Sequence, residues 1–171
     1  HYHPKTLILN NLEFDHADIF QDLTHIENHF HHLVRTIPSK GRIIVNNESP
    51  SLKTVIEKGC WAELEYIGSD KEWNIKGHEI YHNKEKQAPL IWELIGQHNY
   101  MNALAAIAAA RHVGISPENS IKALSQFKSV KKRMEKISTI DNIELYDDFA
   151  HHPSAIQTTL EGLQKSIKKG R

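Results

Sequence analysis

Leu145-Tyr-Asp-Asp-Phe-Ala-His-His-Pro153 is the stretch of this sequence that says most about its fold. An apolar run ends there in two carboxylates and two imidazoles, and Pro153 suits the first turn of a helix. Residues 154–165 continue with apolar side chains at helical spacing. The stretch therefore predicts a strand, a polar loop and a helix, the arrangement that binds ligands in open α/β sheets. A surface turn rich in Asp and His is the alternative interpretation.

Upstream of this stretch, short apolar strands alternate with helices, as is typical of a parallel sheet. Polar residues 10–16 follow the first strand, so ligand-type side chains also stand at the end of a second strand. Asp18 is the predicted N-terminal cap of the first helix. The predicted strands are residues 6–9, 42–45 and 61–67, and the predicted helices are residues 19–37 and 52–58.

The pattern changes after residue 68, where two predicted strands follow each other without a helix. We expect them to extend the sheet in antiparallel fashion. Gly96-Gln-His-Asn99 then opens an alanine-rich helix, and Ser116 caps a shorter one. These predicted elements are strands at residues 73–81 and 90–94 and helices at residues 100–112 and 117–127.

A domain boundary is predicted near residues 128–132, a basic connector that is poor in apolar residues. After it, residues 134–140 and 143–146 read as a hairpin about Asp141-Asn142. We therefore divide the chain into an α/β unit of residues 1–130 and the beginning of a second unit at residues 131–171.

Composition excludes several classes of function. Basic and acidic side chains number 21 each, and no basic stripe is present, so nucleic-acid binding is not expected. The single Cys60 excludes an internal disulfide and favours a reducing compartment, by default the cytoplasm. No apolar run approaches the roughly 20 residues that a membrane span requires. The chain has no initiator Met and stops just after a predicted helix, so we expect it to be a piece of a longer protein.

Four motifs occur in the same order as in the Mur ligases, the ATP-dependent amide-forming enzymes that build the peptide of bacterial cell-wall precursors. They are Asn10-Asn-Leu-Glu-Phe-Asp-His16, Gly96-Gln-His-Asn-Tyr-Met-Asn-Ala103, Lys132-Arg133 and residues 147–153. The chain resembles that family over nearly its whole length. By this resemblance, residues 1–130 are the C-terminal part of the central ATPase domain. Residues 131–171 are the truncated beginning of a Rossmann-like C-terminal domain.

The resemblance also implies ATP and Mg²⁺ as cofactors. His16 would be a magnesium ligand, and Arg133 and His151 would act near the reacting phosphates. The residues implied to bind ATP are His98, Asn99, Asn102, Arg133 and Asp148. Lys132 stands where relatives commonly carry a second Arg, which puts any bidentate contact there in doubt.

Without the resemblance, plainer interpretations hold for three of these residues. His16 would cap a helix, Asn99 would be a helix cap as well, and Asn102 would be a solvated side chain. Only the resemblance makes His16, Asn99 and Asn102 candidate ligands.

Within the family, Phe30-His-His-Leu-Val-Arg35 and residues 147–156 are most similar to one branch. That branch joins the recycled tripeptide L-alanyl-γ-D-glutamyl-meso-diaminopimelate to UDP-N-acetylmuramate through an acyl phosphate. The alternatives are the branch that adds L-alanine to UDP-N-acetylmuramate, a folate-chain-lengthening ligase, and a non-catalytic nucleotide-binding module.

No Gly-x-x-x-x-Gly-Lys-Ser/Thr phosphate loop occurs in this sequence. In the family, that loop and an N-terminal UDP-binding domain precede the Asp-His motif. We therefore expect the chain to be inactive alone and to work with the remainder of the same ligase polypeptide.

Overall fold

The computed structural model describes residues 3–70 and 72–166, and their strands and helices alternate over most of that length. The elements are β1 (Thr6–Leu9), α1 (Leu23–Val34), β2 (Arg42–Asn46), α2 (Pro50–Glu57), β3 (Glu63–Ile67), β4 (Trp73–Lys76), β5 (Glu79–His82), β6 (Glu85–Pro89), α3 (Gln97–His112), α4 (Pro117–Leu124), β7 (Glu135–Ile140), β8 (Ile143–Asp147) and α5 (Pro153–Ser166). Within these bounds, no helix is long and apolar enough to cross a membrane.

Strands β1 to β6 form one sheet in chain order. β1 to β4 are parallel neighbours, whereas β5 and β6 are added antiparallel. The β1–β2 and β2–β3 pairs require long crossovers, which α1 and α2 supply, whereas β4 follows β3 without a helix and pairs with it only at Ile67 and Trp73. The predicted fold, a mostly parallel sheet with helices and a small antiparallel extension, is confirmed.

Helices cover both faces of the sheet. Since side chains along a strand alternate between the two faces, successive residues of one strand pack against different helices. Ile43 and Val45 of β2 pack in the cluster that contains α1 and α2. Ile44, between them, packs in the cluster that contains α3 and α4. The parallel register of β1 and β2 places their carboxyl ends at the same edge, where the loop after Leu9 begins.

One charged side chain, Glu65 of β3, is buried within the sheet. Its carboxylate accepts hydrogen bonds from Trp73 Nε1 at 2.5 Å, Arg42 Nη1 at 2.7 Å and Arg111 Nη2 at 3.1 Å. Burial by itself would raise the pKa of Glu65, but these donors together hold it below its ordinary value. The cluster connects β2, β3 and β4 to the C-terminal end of α3.

The first helix is shorter than predicted, and Asp18 is not its cap. Instead, a tight turn in which His16 O accepts from the amides of Ile19 and Phe20 precedes the helix. Asp22 caps α1 by accepting from His25 N at 2.7 Å. Because Ile19 is 64% exposed, its match to the helical spacing was accidental.

The strands predicted at residues 73–81 and 90–94 are also corrected. A turn at Gly77 divides the first into β4 and β5, and Asn83-Lys84, both with positive φ, turns the chain into β6. Residues 90–94 form no strand, although Leu90 is buried. The prediction missed β6 because it is a charged edge strand, whose exposed side chains show no apolar pattern.

Residues 131–166 form the predicted hairpin and a helix. β7 and β8 pair with each other in a separate two-stranded sheet, and Asp141-Asn142 makes the turn with positive φ at both residues. The predictions for the hairpin and for α5 are confirmed to within two residues at each end.

Candidate functional site

Three polar segments meet beside the carboxyl end of β1: the loop after β1, the first turn of α3, and the loop between β8 and α5. Asn10 Nδ2 donates to Asn102 Oδ1, which joins the first segment to α3. His152 Nε2 lies 3.2 Å from Phe14 O, which joins the first segment to the third. The structure therefore brings together sequence motifs that lie more than 100 residues apart.

The loop after β1 ends in a compact Asp-His pair. His16 has a positive φ of 55°, and its backbone N–H donates to Asp15 Oδ1 at 2.7 Å. This hydrogen bond, followed by the nearby imidazoles of His16, His152 and His151, lowers the pKa of Asp15. Both side chains are exposed, so the pair presents a carboxylate and an imidazole to solvent.

Gly96 starts α3 with a backbone that other residues rarely adopt, since its φ is 95°. Among the described residues no side chain caps this helix, and of its first amides that of Asn99 donates to Gly96 O at 3.1 Å. His98 lies against Gly96, and its Nδ1 is buried without a hydrogen-bond partner in the part of the chain that the structure describes. Burial lowers the pKa of His98, while Asp148 opposes this shift and Arg133 adds to it.

The two carboxamides of α3 have partners within the chain. Asn99 Nδ2 donates to Ile95 O at 2.7 Å, and Asn102 Oδ1 accepts from Asn10 Nδ2. Each side chain therefore keeps at least one polar atom that these contacts do not use. For Asn99 that atom is the acceptor Oδ1, and for Asn102 it is the donor Nδ2.

Asp148 organises the loop that follows β8. Its two carboxylate oxygens accept from Met134 N at 2.8 Å and from Ala150 N at 2.7 Å.

Arg133 lies over the Phe149 ring, with Cζ 5.8 Å from the ring centroid. The ring of His151 packs edge-on against Phe149, and its Nδ1 lies 3.1 Å from Phe149 O. Arg133 and His151 are both exposed and free to turn toward a ligand.

The first turn of α5 contacts the loop after β1 through side chains. Ser154 Oγ donates to Glu13 Oε2 at 2.6 Å, and His152 Nδ1 lies 3.4 Å from the same oxygen. A cleft of about 330 Å³ lies beside this contact. Its floor is apolar, with Leu12, Phe20 and Ile26, and its rim carries Asp15 and His16.

Further along α5, Gly162 packs directly on the backbone at the start of α3. A Cβ placed on Gly162 would lie 3.1 Å from Gly96 Cα and 3.3 Å from Gly96 N. Even the methyl group of alanine would fit here only if the neighbouring backbone moved by a few tenths of an ångström. A glycine suits position 162 because the two backbones approach closely there, and not because of its backbone angles.

The His98 Nδ1, which has no partner among the described residues, and the Asp148 carboxylate are a donor set that fits one side of a nucleotide site. For Mg²⁺, His16 and Asp15 supply one nitrogen and one carboxylate. Within the described residues, no three His, Cys, Asp or Glu side chains are close enough to hold a metal ion. A magnesium ion at His16 would need oxygen ligands from the phosphates or from outside this chain.

The structure groups the predicted residues into two sets. His98, Arg133 and Asp148 are close enough to influence one another, and Asp15, His16 and His151 form a second group. Sequence reasoning assigned no role to Asn10, Ser154 or Gly162. No local signal identifies them, because their partners lie far away along the chain.

Comparison with known proteins identifies the relatives of this chain. Residues 1–110 match the family model described as the Mur ligase middle domain. Over 99% of its length, the chain is 45% identical to the UDP-N-acetylmuramate–L-alanyl-γ-D-glutamyl-meso-2,6-diaminoheptandioate ligase of Haemophilus influenzae, of which it spans 39%. It is 32% identical, over 99% of its length, to the UDP-N-acetylmuramate–L-alanine ligase of Desulfitobacterium hafniense, of which it spans 40%.

A solved structure is similar as well. The crystal structure of the UDP-N-acetylmuramate:L-alanyl-γ-D-glutamyl-meso-diaminopimelate ligase from Neisseria meningitides is 46% identical, with a TM-score of 0.71. The match covers 77% of this chain and 42% of that one. The chain thus spans about two fifths of the length of the relatives it matches.

Proposed function

Because this chain belongs to the Mur ligase family, we propose that it is part of an ATP-dependent amide ligase. The ligase joins L-alanyl-γ-D-glutamyl-meso-diaminopimelate to UDP-N-acetylmuramate and so returns a recycled peptide to cell-wall synthesis. The observation that carries the choice of substrate is the higher identity to the tripeptide ligase than to the L-alanine ligase, over the same share of the chain.

We propose that the start of α3 and the loop after β8 hold ATP from two sides. His98 Nδ1, in a ring whose pKa burial lowers, is suited to a single hydrogen bond with the nucleotide. The Asn99 carboxamide retains its acceptor Oδ1, and Asn102 retains its donor Nδ2, for the adenine edge. Asp148, whose charge raises the pKa of His98, is the candidate acceptor for the ribose hydroxyls.

We propose that the Asp-His pair and the exposed cations handle the phosphates. Mg²⁺-ATP, when bound, supplies the phosphoryl group that activates the muramate carboxylate as an acyl phosphate. His16 is the candidate magnesium ligand, and Asp15 adds a carboxylate beside it. Arg133 would neutralise charge on the terminal phosphate, and His151 would lie near the acyl phosphate. Neutralisation is needed because the attacking carboxylate and the phosphates repel each other.

The organisation of the whole enzyme is part of the proposal. Residues 1–130 would complete the central ATPase domain together with a phosphate loop located elsewhere in the ligase polypeptide. Residues 131–171 would begin the C-terminal domain, as their separate hairpin sheet supports. ATP and a UDP-sugar are cytoplasmic substrates, so we place the enzyme in the cytoplasm.

The test uses the complete ligase and measures phosphate release with ATP, Mg²⁺ and UDP-N-acetylmuramate. The tripeptide and L-alanine are compared as acceptors at equal concentrations. We expect a preference for the tripeptide of at least about 100-fold in kcat/KM, because a site built for a long polar acceptor loses several interactions with a short one. A preference for L-alanine would assign the protein to de novo synthesis, and inactivity with both would contradict ligase function.

A second measurement addresses this chain alone. Isothermal calorimetry should detect no tight ATP binding, since the phosphate-loop part of the site is missing from this sequence. Sub-micromolar affinity would contradict the proposal that the remainder of the ligase completes the site.

A further inference from the structure

We propose that α5 is a positioning element, fastened at Glu13 and at Gly96, that sets Asp148 and His151 against the start of α3. The inference rests on the proposed nucleotide site and concerns how its two halves are held in register. Neither Glu13 nor Gly162 touches the reacting groups. They act through their contacts with Ser154 and Gly96, which hold α5 and the loop that leads into it.

The first fastening point is the contact between Glu13 and the first turn of α5. Ser154 Oγ donates to the Glu13 carboxylate at 2.6 Å, and His152 faces the same oxygen at 3.4 Å. On its other side, His152 Nε2 lies 3.2 Å from Phe14 O. The carboxylate and the backbone of one short loop therefore engage His152 and Ser154, the first and third residues after His151.

The second fastening point is the Gly162 contact with Gly96. It lies eight residues beyond Ser154, or about 12 Å along the helix at 1.5 Å per residue. Gly162 rests on Gly96, which caps the start of α3 two residues before His98. Two points this far apart determine both the position and the direction of α5, which one point alone would not.

The remaining packing of this segment is weak. Of residues 131–165, Gly162 is the only one that is buried. The hairpin does not join the six-stranded sheet, so strand pairing does not fix its position. The alignment of Asp148 with His98 consequently depends on the two α5 contacts to an unusual degree.

A first experiment uses the complete ligase with Glu13→Ala, Ser154→Ala and the double variant. Loss of one hydrogen bond to a charged group should raise the KM and the calorimetric Kd for ATP about threefold to tenfold. The KM for UDP-N-acetylmuramate should change less than about twofold, because only the alignment of the nucleotide site is affected. The double variant should be no worse than Glu13→Ala alone, since Glu13→Ala already removes the contact with Ser154.

Two pairs of control variants are used. The first pair keeps the hydrogen-bonding chemistry at the contact, and the second pair changes other residues of the same helix. Ser154→Thr and Glu13→Gln retain a hydroxyl donor and an acceptor, and should restore ATP affinity to near the original value. Glu161→Ala and Thr158→Ala change α5 residues whose hydrogen-bond partners lie on α5 itself, and should leave ATP affinity unchanged. Additive losses in the double variant, or equal losses in these controls, would overturn the proposal.

A second experiment uses Gly162→Ala. The added methyl group must push α5 away from Gly96 by a few tenths of an ångström, so ATP affinity should fall about fivefold or more, as displacement of a positioned group predicts. Alanine is the better helix former, so the melting temperature should not fall. Unchanged affinity would overturn the second fastening point. If the unmodified ligase failed to bind ATP, the proposed function itself would be wrong. That outcome is distinguishable from failure of the positioning proposal, which is judged from the variants of a ligase that does bind ATP.

Discussion

The six-stranded sheet and the β7–β8 hairpin are built from similar residues but differ in what surrounds them. Ile44 on β2 is fully buried between the sheet and α3, whereas Ile143 on β8 is 71% exposed. Both lie in short strands with strong β-formers. Strand formation therefore depends on local sequence, while burial depends on whether a helix layer covers that face of the strand.

Two glutamates extend the comparison to charged groups. Glu65 accepts from Trp73, Arg42 and Arg111, and Glu144 on the hairpin accepts from Lys136 and Tyr146. Hydrogen bonds hold the pKa of each carboxyl below its ordinary value. The Glu65 side chain is only 4% exposed, whereas that of Glu144 is 47% exposed and surrounded by water.

The difference shows how the candidate site combines two kinds of structure. α3 is held by a packed core, whereas Asp148 and His151 come from a segment with little burial of its own. Segments of this kind open locally at low free-energy cost. The first half of the site is thus rigid by packing, and the second half depends on a few specific contacts.

The largest expected effect is that of Ile44→Ala. Removing a fully buried side chain leaves a cavity between the sheet and α3, and should lower the free energy of unfolding by about 2–5 kcal/mol. Ile143→Ala, the matched change on the hairpin, should lower it by less than about 0.5 kcal/mol. Urea denaturation followed by tryptophan fluorescence measures both, and equal losses would refute the distinction between the two sheets.

Glu65→Gln should have the next largest effect, a loss of about 1–3 kcal/mol in unfolding free energy. The amide keeps an acceptor for Trp73 but removes the charge that Arg42 and Arg111 share. Glu144→Gln should leave the denaturation midpoint unchanged, because water solvates its partners. A comparable shift in the Glu144 variant would show that burial does not distinguish the two clusters.

Asp148→Ala should act locally. It removes the acceptor for the amides of Met134 and Ala150, and should make local opening of that loop easier by about 1–2 kcal/mol. Hydrogen exchange should accelerate at these two amides and remain slow in β2 and β3. If the sheet amides accelerated equally, the segment would not be an independent opening unit.

The smallest expected effect is a pH dependence from His98. Since burial lowers its pKa in the folded state, the unfolded chain binds the proton more readily, and stability is lost as pH falls below about 6.5. His98→Gln should flatten the decline in unfolding free energy between pH 7 and pH 5. His151→Gln, a change at an exposed imidazole, serves as the control, and an equal flattening there would contradict the assignment.

Much of the fold followed from local pattern. The short apolar run in residues 42–45 predicted β2, Ser116-Pro117 predicted the start of α4, and Asp141-Asn142 predicted the hairpin turn, because each depends on neighbouring residues alone. Edge strand β6 and the true start of α1 were missed. Their determinants are two positive-φ residues at Asn83-Lys84 and a turn at His16, which apolar spacing does not reveal.

The sequence by itself determined the order of the elements, the motifs that carry the family resemblance and the identity of the candidate ligand residues. Only the tertiary structure decided that Ser154 contacts Glu13, that Gly162 rests on Gly96 and that Asp148 lies near enough to His98 to influence its pKa. It also decided that Ile143 is exposed while Ile44 is buried. The physical reason is that periodicity, caps and turns act within a few residues, whereas these contacts join segments whose separation in space is set by the packing of the whole sheet.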